Sequence, residues 1–450
     1  MRVDSIQQLT DLVNNDSRYD IPYAELEGLQ IAAVNARLQQ RREQIKLVDH
    51  RARQAGIDTV DSLESMVPLL FPHTVYKSYP ETFLSNQRWD KLAKWLDTTS
   101  THRVPTTDPQ AFDTIDAWLA DLETQGIFVN CSSGTTGKSA MMVSSRADLD
   151  WCLTEAVAAY TWGSGVKACN DRRIFGLAPV ALTPRNQITG EAYYRALQSP
   201  DKEPFSYPVP PITVGSLTSM VVLRKKMADG TATPAEIQAY EQTSAERQKT
   251  MDDAVTIAAD AIIEARTDRL HVTGLWSGLY NVAALVRERG YSAKDFNPEN
   301  SIYVGGGLKR AVLPDNYREF VYETFNIQPE RNYQNYSMQE LQSGMPRCRE
   351  GNRYHVPPWV VPLILDKTGD VLLPRDAGEY EGRAAFFDVS LDGRWGGVIS
   401  GDRVSIDFRP CACGAQSPSI RDNIARYADL EGDDKIGCAG TVDAYVRGVS

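Results

Sequence analysis

Cys131-Ser132-Ser133-Gly134-Thr135-Thr136-Gly137-Lys138-Ser139 is the stretch on which the reading of this chain turns. A short apolar run, 128–131, enters it and a second, 140–143, leaves it, so it is predicted as a loop between two strands. Small residues let a backbone bend closely around an anion and turn several N–H groups toward it. Hydroxyls and one lysine supply the remaining donors, and the pattern is that of a phosphate-binding loop. The P-loop pattern Gly-x-x-x-x-Gly-Lys-Ser/Thr is met only in its second half, because Ser132 stands where the first glycine belongs. A P-loop must also open a helix, whereas 140–143 reads as strand. Both departures argue against that class of nucleotide fold.

Around this loop the texture changes along the chain. Residues 1–125 carry apolar residues at helical spacing, as in 26–55 and 89–96. A helix is predicted from 146 to about 160, and the strongest helix signal runs from Pro234 to about 266, with no interior Gly or Pro. From 270 onward short apolar runs (LHVTGLW, SIYVGG) alternate with helices, which argues an α/β core over 126–345 with some parallel sheet. Beyond it, 346–425 has the short runs of a β-rich subdomain, and 426–450 is a short hinge and tail.

Composition narrows the function classes. With 42% hydrophobic and 24% charged residues, the 450-residue chain is an ordinary globular protein. A net charge of −11 repels phosphate backbones, so nucleic acid is not an expected partner, although a mononucleotide site built from backbone N–H groups is unaffected. No run approaches the length of a membrane span, the N-terminus has no signal-peptide core, and sparse cysteines read as reduced thiols; a cytoplasmic protein is expected.

The loop Ser132-Ser133-Gly134-Thr135-Thr136-Gly137-Lys138 resembles the signature of the acyl-adenylate-forming superfamily of acyl-CoA ligases and luciferases. It is most similar to the phenylacetate-CoA ligase branch and to the acyl-protein synthetase of bacterial luminescence. The resemblance implies an α/β fold with mixed sheets flanked by helices and a β-rich subdomain, spanning 1–425. It also implies that the loop holds the ATP phosphates, with Lys138 acting in catalysis. Ala140 stands where a second lysine is common in the superfamily, a position that the phenylacetate branch also leaves without lysine.

Weaker segments follow in the order the resemblance requires. Gly305-Gly306-Gly307, after the strand 302–304, would line the adenine, although a triple glycine is equally a tight turn. Tyr336-Ser337-Met338-Gln339-Glu340 is similar to a Tyr-Gly-x-Thr-Glu motif: Tyr336 and Ser337 would contact the nucleotide and Glu340 would approach Mg²⁺, which prefers oxygen ligands. Ser337 and Gln339 depart from that motif. Asp402, after Gly401, would accept from the ribose hydroxyls, and Arg426 with Asp429 matches part of a hinge motif, Ala428 replacing its first acid. The acyl pocket is expected to draw on 270–279, with Trp276; His271 reads as a buried structural histidine.

Cys348, His355, Cys411 and Cys413 form a Cys₃His inventory, the ligand set of a closed structural zinc site; three free thiols and a satisfied histidine is the bland alternative. The phenylacetate branch has a comparable Cys-x-Cys-Gly segment, which implies structural zinc.

The resemblance also implies a mobile domain beyond the hinge, of which about 20 residues follow Asp429 here. The expectation is an AMP-forming acid-thiol ligase or acyl-adenylate synthetase working in biosynthesis. It would convert an aryl or fatty carboxylate and ATP to acyl-AMP and pyrophosphate. Transfer would then go to CoA, a carrier protein or a partner enzyme. A non-catalytic nucleotide- or acyl-binding homologue is the alternative, and a phosphotransferase releasing ADP a third.

Overall fold

A computed structural model describes residues 4–132, 138–306, 308, 311–376, 378–432, 434 and 436. It is a mixed α/β structure, as expected, and its described residues fall into two compact units.

The first unit comprises the described residues of Met1–Glu155, Thr183–Arg185 and Ser337–Ser450. Its first stretch is mainly helical. The apolar spacing over 26–55 forms two helices, Tyr23–Gln44 and Lys46–Ala55, rather than one, because Ile45 between them is extended (φ −115°, ψ 104°) and fully buried. A β-branched side chain suits that extended, buried joint better than a helix interior. The main sheet runs Tyr354–His355, Ser419–Ile420, Gly397–Asp407, Glu379–Asp388, Val360–Leu365. Phe71–Pro72 adds in parallel, and Ala425–Arg426 antiparallel, to the long strand Gly397–Asp407. Separately, Phe128–Cys131 and Met141–Ser144 pair antiparallel, the second strand beginning one residue later than the sequence suggests.

The second unit, Ala156–Leu182 and Asn186–Tyr336, is built on four parallel strands in the order Arg173–Leu177, Leu270–Gly274, Asn300–Val304, Ile327–Tyr333. Period-two alternation sends Leu270 and Val272, with Ile302 and Val304, into an apolar core under the helices Trp276–Glu288 and Tyr317–Phe325. The helix Pro234–Glu264 opens with a reciprocal cap: Glu236 N donates to Thr233 Oγ1 (3.2 Å) and Thr233 N to Glu236 Oε2 (2.8 Å). Only its second half is buried, through Ala254, Ala258, Ala259, Ile262 and Ile263 at spacings of four residues.

Candidate functional site

The first unit holds the hairpin of Phe128–Cys131 and Met141–Ser144 that brackets the expected phosphate loop. Its mouth is closed twice: Ser132 N donates to Ala140 O (3.0 Å) and Ala140 N donates to Ser132 Oγ (2.8 Å). One acceptor site of the Ser132 hydroxyl is thus taken by the loop's own backbone. Ser133, Gly134, Thr135, Thr136 and Gly137 lie outside the described residues. Lys138 donates to the carbonyl of Tyr79 and lies 4.6 Å over that ring, while Tyr79 Oη donates to Ser139 O (2.8 Å). Ala140 is fully buried, so a lysine there would carry its charge into the core.

Glu340 is half-buried and sits on a segment whose carbonyls are captured by two arginines. Arg185 donates to Met338 O (2.8 Å), Leu341 O (2.6 Å) and Gln342 O (3.2 Å). Arg394, 2% exposed, donates through Nη2 to Gln339 O (2.9 Å) and Glu340 O (3.2 Å), and through Nη1 to Val143 O (3.1 Å) and Ser144 Oγ (3.3 Å). One guanidinium thus ties the Glu340 backbone to the hairpin that carries the phosphate loop. Lys77 is half-buried: burial pushes its pKa down, and the nearby charge of Glu340 acts in the opposite direction. No motif marked Lys77, Tyr79 or Arg394; their roles arise from segments distant in sequence.

Asp402 lies mid-strand, paired in register with Arg426, and the Arg426 Nε to Asp402 Oδ1 separation is 3.8 Å. Its amide donates to Ser400 Oγ (3.1 Å). Beside it His73, brought in by the strand Phe71–Pro72, and the buried Arg383 both hold the carboxylate of Asp434.

In the second unit, Gly305 and Gly306 follow the strand Asn300–Val304 at the carboxyl edge of the parallel sheet, where open α/β sheets bind ligands. Gly305 N donates to Gly274 O (3.1 Å), and Gly306 has φ +81°, a conformation suited to glycine. Gly307 lies outside the described residues. Tyr336, the last residue of this unit, is 8% exposed; Ser337, which belongs to the first unit, is exposed. Of the expected acyl-pocket stretch, Leu270, Val272, Trp276 and Leu279 belong to the unit's buried core, and Trp276 packs edge-on against Tyr317. His271 is fully buried, its Nδ1 within 3.1 Å of Tyr160 Oη and 3.0 Å of Ser301 Oγ, and burial pushes its pKa down to about 3. It is a neutral structural histidine.

The four candidate metal ligands converge in the first unit. The Cys348, Cys411 and Cys413 sulfurs and a nitrogen of His355 all lie within 4.8 Å of one another. Tetrahedral zinc, with Zn–S about 2.3 Å and Zn–N about 2.0 Å, sets S···S edges of about 3.8 Å and S···N edges of about 3.5 Å. Cys348 Sγ to Cys411 Sγ is 3.8 Å and Cys413 Sγ to His355 Nε2 is 3.5 Å, so the donor set fits. His355 Nδ1 bonds Ser417 Oγ (2.9 Å), which orients the ring and leaves Nε2 for a metal. The thiols share protons: a hydrogen bond from Cys413 pushes the Cys348 thiol down, and the same contact pushes the Cys413 thiol up.

The fold is shared with 2-hydroxyisobutyryl-CoA ligase. Its open conformation in complex with 2-HIB-AMP and CoA is 13% identical, over 92% of this chain and 77% of that one, with a TM-score of 0.56. The same enzyme with 2-HIB-AMP and CoA in the thioesterification state is 14% identical, over 91% and 70%, with a TM-score of 0.55. No protein-family profile matches the chain, and no curated protein matches it. Among the described residues, no helix is long and apolar enough to cross a membrane.

Proposed function

We propose that this chain is an AMP-forming acid-activating enzyme of the acyl-CoA ligase and luciferase superfamily, in the phenylacetate-CoA ligase-like branch, acting in cytoplasmic biosynthesis. A carboxylate oxygen of an aryl or fatty acid attacks the α-phosphorus of ATP, the bond to the bridging oxygen breaks, and pyrophosphate leaves with the electron pair. The acyl-AMP then loses AMP to an acceptor nucleophile, a CoA or carrier-protein thiol or a group on a partner enzyme. The observation that carries the reading is Arg394, which holds the loop hairpin and the backbone of Glu340 together through one buried guanidinium. Phosphate donors and a metal-binding carboxylate that must act on the same triphosphate need that fixed spacing.

In this reading Ser133, Gly134, Thr135, Thr136 and Gly137 wrap the phosphates and Lys138, held by Tyr79, neutralises their developing charge. Glu340 would hold Mg²⁺, which when bound shields the triphosphate. Gly305, Gly306, Gly307, Tyr336 and Ser337 would contact the adenine side, and Asp402 and Arg426 the ribose. The fold shared with a ligase solved with acyl-AMP and CoA supports this assignment. The Cys348, His355, Cys411 and Cys413 cluster would hold a structural zinc, closed by four protein ligands and outside the chemistry.

The test is carboxylate-dependent exchange of pyrophosphate into ATP over a panel of aryl and fatty acids, without acceptor. Exchange with one class is expected, together with its loss in Glu340→Gln. No exchange with any acid, in a protein that binds ATP, turns the reading to a binding protein.

A further inference from the structure

Asp434 lies beyond every motif, yet its carboxylate has a dedicated seat. Oδ2 is 2.9 Å from His73 Nε2, and Arg383 Nη1 donates to Oδ1 at 2.8 Å. Arg383 has 1% side-chain exposure, and the same Nη1 donates to Ser400 O (2.9 Å). The third wall is Gly401: a Cβ built there would stand 2.6 Å from Asp434 Oδ2 and 3.0 Å from His73 Nε2. The carboxylate therefore rests on the backbone of the residue immediately before Asp402.

Two ties of opposite polarity flank the short helix Tyr427–Glu431. Arg426 pairs with Asp402 before it, and Asp434 engages His73 and Arg383 after it. Between and beyond them the segment is packed down: the Arg383 guanidinium lies 4.2 Å from the Tyr427 ring centroid, and Ile436 is 5% exposed against Gly369. Arg383, Gly401 and Asp402 belong to neighbouring strands, and His73 reaches them because Phe71 and Pro72 pair with Val398 and Ile399. Four stretches far apart in sequence converge on one corner, Ser400–Asp402.

We propose that Asp434 is a positioning residue: by bridging His73 and Arg383 across Gly401, it fixes the Ser400–Asp402 corner and the Arg426 that pairs with it, so that Asp402 presents its carboxylate to the nucleotide ribose. This rests on the reading of Asp402 as the ribose acceptor. A carboxylate accepts from both hydroxyls of a vicinal diol only when its own backbone is held, because a small displacement loses one of the two hydrogen bonds.

The experiment is titration calorimetry of the full chain with ATP and with 2′-deoxy-ATP, on wild type, Asp434→Asn, His73→Gln and Ile436→Ala. Wild type is expected to prefer ATP by roughly tenfold, the value of one well-made hydrogen bond. Asp434→Asn and His73→Gln are expected to bring that preference close to one, chiefly by weakening ATP. Ile436→Ala, which loosens packing and leaves the carboxylate, is expected to lower thermal stability and keep the preference. An unchanged preference in both Asp434→Asn and His73→Gln, or an equal loss in Ile436→Ala, overturns the proposal; should Asp434→Asn not fold, His73→Gln decides it. Wild type that binds both nucleotides equally overturns the proposal and leaves acid activation standing if pyrophosphate exchange occurs. Wild type that binds neither overturns both.

Discussion

Tyr79 holds Lys138 from two sides, its carbonyl accepting from the ammonium and its ring lying 4.6 Å beneath it. Its hydroxyl at the same time donates to the carbonyl of Ser139, the next residue. A flexible lysine is thereby pre-placed, and less rotamer entropy is lost when an anion arrives. Tyr79→Phe removes only the hydroxyl bond; a stability loss of about 1 kcal/mol and a several-fold rise in KM for ATP are expected, read by urea unfolding and exchange kinetics. Lys138→Met is expected to lower kcat by about 10² or more, with little change in stability.

Arg394 serves four acceptors with one planar fork, a geometry that lysine cannot copy. Arg394→Lys leaves buried carbonyls unpaired, and a loss of about 2–4 kcal/mol in unfolding free energy is expected. Exchange activity should fall as well at temperatures where the variant is folded, because the Glu340 backbone loses its tie to the hairpin. Full activity in a folded Arg394→Lys would remove Arg394 from the argument for function.

Metal analysis of the purified chain is expected to return one zinc per molecule, lost in Cys413→Ser and on treatment with a strong chelator, with a fall in Tm in both cases. Gly351→Ala is the sharper probe, since a Cβ there would stand 2.4 Å from Cys411 Sγ and 3.0 Å from Cys348 Sγ while every ligand remains present. Its zinc should exchange faster than that of wild type. Cys169→Ser, at an exposed thiol outside the cluster, should retain the metal.

Glu155 supplies a pH dependence with a defined sign. Burial pushes its pKa from 4.5 up to about 7, against the hydrogen bond from Gly344 N, which lowers it. Between those values the folded chain keeps a proton that the unfolded chain releases, so this residue's contribution to stability falls as pH rises from about 4.5 to about 7 and is flat beyond. Glu155→Gln lacks the term. Relative to wild type the variant should gain stability over that window, by up to about 3 kcal/mol. Parallel stability-against-pH curves for the two proteins would show that Glu155 is ionised in the fold.

What could be read from residues alone was local or periodic. The phosphate loop is nine consecutive residues between two short strands, and the hairpin appears where the pattern placed it, within one residue. The helix from Pro234 carries its cap, Thr233 and Glu236, in its own first turn, so its start was legible. Cys411 and Cys413 are two apart, and only Cys348 and His355 had to be joined to them over distance. Less legible was the stretch 270–279, because Trp276 and Leu279 look the same in sequence whether they line a pocket or fill a core. Packing under Tyr317–Phe325 decided for the core.

By itself, then, the sequence determined the class of fold, the place of the loop between two strands and the four members of the Cys₃His cluster, because each depends on residue type and local pattern. Only the tertiary structure decided that Tyr79 anchors Lys138, that Arg394 ties Glu340 to the loop hairpin, and that His73, Arg383 and Gly401 receive Asp434. These contacts join residues 33 to 361 positions apart, from Gly401–Asp434 to His73–Asp434, largely through backbone groups and single side chains outside the motifs. Such partners are selected by distance and burial in the folded chain, which are properties of the sheet register and not of any stretch of sequence.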